Sequence, residues 1–224
     1  RNTIAGEHNT AVGYYALHNA NHADADGNVA VGYDALGDVT EGNDNIGIGK
    51  QSGYRITTGA GNIAIGKNTF FTNNTTGNQN IGIGTSSCSR LSSGLNNVAI
   101  GQQSLFFNQT SNDNIAIGTN ALYSCTAAEN IGIGAYTGNA LTSGNKTIAI
   151  GHQALSSVVD VNSNVAIGYR AGQDCTVADN TFVGTSAGLE NTTGTFNVFV
   201  GGSAGKDTTT GEHNTAMGYC ALLT

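Results

Sequence analysis

One short pattern constrains this chain more than any other feature. Asn-x-Ala-Ile-Gly and its close variants begin at Asn9, Asn28, Asn45, Asn62, Asn80, Asn97, Asn114, Asn130, Thr147, Asn164, Asn180, Asn197 and Asn214. The intervals run from 16 to 19 residues and average about 17. A unit that short cannot bury its own apolar side chains, so it must stack on its neighbours. Thirteen coils of one design account for residues 1–224 as a single repeat array.

Aligned on the anchor, each coil shows what its positions tolerate. The residue after the anchor is Val, Ile or Thr, and the one two further on is Val or Ile except at Met217. Spacing of two puts both on one face of a strand. The pair is expected to point inward, worth roughly 1.5–3 kcal/mol per fully buried side chain. Between them sits Ala or Gly, with Phe182 and Phe199 the departures. By this register the small residue faces outward, and only the close approach of another wall would restrict it so. Ala64, Ala99, Ala116, Ala149 and Ala166 are thereby assigned to a face between chains, which cyclic symmetry closes into a homotrimer.

Glycine follows the strand in every coil, at Gly13, Gly32, Gly49, Gly66, Gly84, Gly101, Gly118, Gly134, Gly151, Gly168, Gly184, Gly201 and Gly218. A glycine fixed in this way marks a corner that needs positive φ or a close backbone approach. A small residue then a larger one follows, as in Ala35-Leu36, Thr69-Phe70 and Ser104-Leu105, and turns a second wall inward. The remainder, such as Asn73-Asn74-Thr75-Thr76-Gly77, reads as a polar surface turn that absorbs the length variation. The expected fold is all-β, a parallel β-solenoid with coils about 4.8 Å apart. Twelve of the thirteen anchors are Asn. Stacked, they form a ladder of side-chain amides. A hexapeptide-repeat helix is the runner-up, because only one hexad per coil fits it.

Asn97-Val98-Ala99-Ile100-Gly101, Asn62-Ile63-Ala64-Ile65-Gly66 and Asn9-Thr10-Ala11-Val12-Gly13-Tyr14-Tyr15-Ala16-Leu17 resemble the head repeats of trimeric autotransporter adhesins. They are also similar to arrays in tail-fibre proteins of bacteriophages and large aquatic viruses. The resemblance implies a left-handed β-roll, trimeric, on a fibre displayed outside a cell or virion. The adhesin repeat is shorter, and the Ala-Leu form with a Thr-Thr-Gly turn leans toward the viral variety. Nothing here matches the membrane anchor, coiled-coil stalk or self-cleaving chaperone of such fibres, and with no initiator Met or signal pattern the segment reads as an excerpt of a longer chain.

Composition narrows the function classes. Charged residues make up 10% of the chain, with 8 Lys+Arg against 15 Asp+Glu and a net charge of −7. That leaves no cationic stripe for nucleic acid or anionic lipid, and no apolar run approaches the ~18 residues of a membrane span. His8 and His213 are repeat residues in matching Gly-Glu-His-Asn segments, and the other histidines, His18, His22 and His152, read as surface-loop residues. The alternating carboxylates of Asp24 and Asp26 beside His22 are too few for a Ca²⁺ loop, and no nucleophile elbow or phosphate loop occurs. Cys88, Cys125, Cys175 and Cys220 show no paired spacing. Sequons at Asn73, Asn74, Asn108, Asn145 and Asn191 are expected by chance in a chain so rich in Asn and Thr. The expectation is a fibre segment, extracellular, neither enzyme nor cofactor protein, serving as a spacer with a host-surface receptor or glycan as partner. The alternatives are an ice- or small-ligand-binding solenoid and, behind it, a hexapeptide-type acyltransferase.

Overall fold

A computed structural model describes residues 6–20 and 22–223. They contain thirteen strands of three residues and no helix. The chain divides into two compact units, Arg1–Asn114 and Ile115–Thr224. The first holds β1 (Thr10–Val12), β2 (Val29–Val31), β3 (Ile46–Ile48), β4 (Ile63–Ile65), β5 (Ile81–Ile83) and β6 (Val98–Ile100). The second holds β7 (Ile115–Ile117), β8 (Ile131–Ile133), β9 (Ile148–Ile150), β10 (Val165–Ile167), β11 (Thr181–Val183), β12 (Val198–Val200) and β13 (Thr215–Met217). Within each unit every strand pairs in parallel with the next one in sequence. Like residues lie side by side, as in Ile46 beside Ile63 and Ile148 beside Val165. The architecture is a parallel β-solenoid, one strand per coil.

The strands are short because the corner glycine ends each of them. All thirteen corner glycines have φ between +121° and +139°. Where another coil follows, a side chain there would also collide with it: a Cβ on Gly32 would lie 2.5 Å from the Gly49 carbonyl oxygen, whereas one on Gly218 would meet nothing within 4 Å. Just beyond the corner the chain enters the left-handed region at two further positions, the first never glycine and the second glycine only at Gly53, Gly138, Gly172, Gly188 and Gly205. Asp34 has φ +58° and Leu36 +48°, and Gln103 and Leu105 repeat this at +55° and +47°. Such a conformation costs roughly 1–2 kcal/mol per L-residue. It persists because it aims each N–H at a neighbouring coil. Asp34 donates back to the Tyr14 carbonyl at 2.9 Å, and Leu36 donates forward to the Ser52 carbonyl at 3.0 Å.

The structure reverses the expected strand register. The middle residue of the strand points into the coil, and the β-branched pair points out. Ala30, Ala64, Ala99, Ala116, Ala149, Ala166, Phe182 and Phe199 are buried in their own chain, whereas Ile48 and Ile167 are 40% and 37% exposed. The cause is a narrow interior already occupied by the second wall. Leu17, Leu36, Phe70, Leu105, Leu122 and Leu155 are buried there and leave room only for Ala or Gly opposite.

A third wall was hidden in what reads as a polar turn. Val39, Ile56, Leu91, Cys125, Leu141, Val158 and Cys175, each eleven residues after its anchor, are also buried. Asn108 and Asn191 occupy the same position and are buried too, which removes both as glycan acceptors.

Candidate functional site

In each unit the main buried polar feature is a column of anchor residues. Asn28, Asn45, Asn62, Asn80, Asn97, Asn114, Asn130, Asn164, Asn180 and Asn197 are buried, and Asn9 and Asn214 are half-buried. Asn45 shows what each amide does. Its Oδ1 accepts the Asn62 backbone N–H at 2.9 Å and Asn62 Nδ2 at 3.2 Å. Its own Nδ2 donates to the Gly59 carbonyl at 2.8 Å, tying the strand to the turn that closes the coil. One side chain thus satisfies a buried backbone donor of the next coil and a buried carbonyl, neither of which water can reach. Thr147, the exception, donates its backbone N–H to Asn130 Oδ1 at 3.1 Å and its Oγ1 hydroxyl to the Val161 carbonyl at 3.3 Å. These groups are spent on the fold itself and are closed to an external ligand.

The alanines assigned to a trimer face cannot serve as one. Ala64, Ala99, Ala116, Ala149 and Ala166 are 0–1% exposed within a single chain, so no second chain can reach them. The surface the strands do present is the opposite one. In the first unit it is two in-register columns, Val29, Ile46, Ile63, Ile81, Val98 and Val31, Ile48, Ile65, Ile83, Ile100. The second unit continues the pattern from Ile131 and Ile133 to Val165 and Ile167. Most of these side chains are half-buried, and Ile48 and Ile167 are exposed.

Reactive groups do not converge. Among the described residues, no three of His, Cys, Asp and Glu are placed to hold a metal ion. His8, His18 and His22 lie 3.4 to 3.5 Å from Asp26, Asp34 and Asp24 respectively, as separate pairs. Burial pushes the Cys88 thiol up to about 12 and the Cys175 thiol up to about 11. Cys125 is raised as well, burial outweighing its contacts with the Ala127 carbonyl and the Asn130 amide. A thiol held protonated is a poor nucleophile. All four cysteines are free.

Exposed aromatics gather beside the corners instead. Tyr14 and Tyr33 stack at 5.7 Å, and His152 stacks on Tyr169 at 5.7 Å. A further column of hydroxyls lines the closing turn. Thr40, Thr57 and Ser92 donate to the carbonyls of Thr57, Thr75 and Gln109 at 3.0 to 3.3 Å. In comparisons with known proteins, no family model matches the chain, and no curated protein or solved structure matches it either.

Proposed function

We propose that the chain is a structural segment of an extracellular fibre, carried on a virion or cell surface as a left-handed homotrimeric β-roll, and that it assembles through its Ile and Val columns. The observation that carries this reading is the outward strand face. A monomer would leave two rows of half-buried, mostly β-branched side chains partly in water, and burying the rest returns roughly 25 cal/mol per Å². The absence of convergent chemistry and the internal use of the Asn column support a scaffold over an enzyme. The turn hydroxyls donate to the next coil and are interrupted by Gln109 and Val159, which favours the scaffold over a water-ordering face.

Static light scattering tests the assembly. The expected mass is about 68 kDa, three times the 22.7 kDa chain. Ile65→Lys together with Ile83→Lys should lower it to that of one chain while the β-sheet signal remains. A wild-type mass of 22.7 kDa with full β-structure would overturn the trimer.

A further inference from the structure

The two residues just before each anchor form a mostly polar border, and Ala60-Gly61 is the one pair in the sequence in which both residues are small and apolar. Coils to either side carry Asn43-Asp44 and Asn78-Gln79, but the coil of β4 carries Ala60-Gly61. A methyl group and a hydrogen in place of two longer polar side chains leave a hollow of about 400 Å³. Its floor is Ala60 and Gly61, and a Cβ on Gly61 would meet nothing nearer than Gln79 Cγ at 3.8 Å. Leu95, 38% exposed, and Asn96 close the far side.

We propose that this hollow binds a neutral hexopyranose unit of a glycan. Its volume lies within the range of small-ligand sites and admits one or two such rings. The polar lining is carboxamide and carboxylate, which offers acceptors and donors in pairs, as vicinal hydroxyls require. Asn78 and Asn96 are held in place: Asn78 Oδ1 accepts the Ala60 N–H at 2.8 Å, and Asn96 Nδ2 donates to Asp113 Oδ1 at 3.2 Å. Asp44 supplies a two-oxygen acceptor. Leu95 and Ala60 give the C–H face of the ring an apolar surface. No Lys or Arg lines the hollow, and the Asp44 charge repels sialic, sulfated or phosphorylated sugars. The inference adds a ligand to the fibre reading without depending on the trimer, since all these residues belong to one chain.

Saturation-transfer NMR with the methyl glycosides of glucose, galactose, mannose and N-acetylglucosamine tests it on the intact chain. At least one should show saturable transfer with Kd in the millimolar range, about −4 kcal/mol. Gly61→Asn should abolish the signal by filling the hollow. The variant should fold, because Asp44, Gln79 and Asn96 hold the same position at φ +54° to +58°. Asp44→Ala should weaken binding at least about tenfold, as loss of a charge-assisted bond predicts. Absence of transfer from all four glycosides, or transfer that survives Gly61→Asn, would each overturn the proposal. Light scattering on the same samples keeps that outcome separate from failure of the fibre reading.

Discussion

Leu36 lies directly over Gly47 of the next coil: a Cβ on that glycine would be 2.6 Å from Leu36 Cγ. Phe70 stands in the same relation to Gly82, with Cε2 at 2.9 Å, and Leu122 to Gly132, with Cγ at 2.7 Å. Toward the end of the second unit the roles exchange. Gly172 and Gly188 lie beside Phe182, where a Cβ would be 2.6 and 2.3 Å from the ring, and Gly205 lies beside Phe199. A bulky side chain thus enters from the second wall or from the strand, not from both, and where both are small, as at Gly53 and Ala64, Leu36 and Ile56 close the space.

That exchange predicts a coupled pair. Phe182→Ala should cost about 3–5 kcal/mol by leaving a cavity, and Gly172→Leu should cost about 1–3 kcal/mol by overpacking against the ring. The double variant rebuilds the arrangement seen at Leu36 and should unfold in urea closer to the parent than Phe182→Ala does. Simple additivity would mean the two positions do not share one space.

The Asn column predicts a graded loss. Asn62→Ala leaves the Asn80 N–H and the Gly77 carbonyl unpaired, bonds now made at 2.9 Å each. At about 1–3 kcal/mol per buried unsatisfied group, urea unfolding should show a loss of roughly 2–5 kcal/mol. Asn62→Thr should lose about half as much, since Thr147 shows that a hydroxyl can still hold the turn carbonyl. Equal stability of the Ala variant and the parent would place those bonds in competition with water.

Much of the fold is legible in the sequence, and the register is not. The anchor interval gives the coil, its place in the stack and the strand positions, because stacking forces like residues together. The side of the strand that faces inward is ambiguous, because Ile63-Ala64-Ile65 alternates with period two on either reading. Treating Ile as inward follows the usual weight given to apolar size. What decides the question is that Leu36 and Phe70 already fill the coil, a fact visible only as the inverse sizes of Gly172 and Phe182. The left-handed φ of Leu36 is likewise hidden, since propensity assigns such positions to Gly and Asn. The hollow over Ala60-Gly61 becomes readable only once coils are aligned, as a gap in a column.

Cys88 predicts an alkaline effect. Its thiol ordinarily ionises near 9 and is held to about 12 by burial. A raised value in the folded state stabilises fully below the unfolded value and is lost as pH rises through the folded one. The melting temperature should therefore fall between pH 9 and 12 by more in the parent than in Cys88→Ala. Parallel profiles would show the thiolate reaching solvent in the folded chain. Native-state alkylation should correspondingly modify half-buried Cys220 and spare Cys88.

The most direct test compares adjacent residues on opposite faces of β4, using one added cysteine, Ile65→Cys or Ala64→Cys, in a Cys220→Ser background that keeps only the buried Cys88, Cys125 and Cys175. With a short bis-maleimide reagent, the cysteine at position 65 should link chains to one another, and the one at position 64, buried in its own coil, should not react in the folded protein. Chain-to-chain products from position 64, or none from position 65, would contradict both the outward face and the assembly built on it.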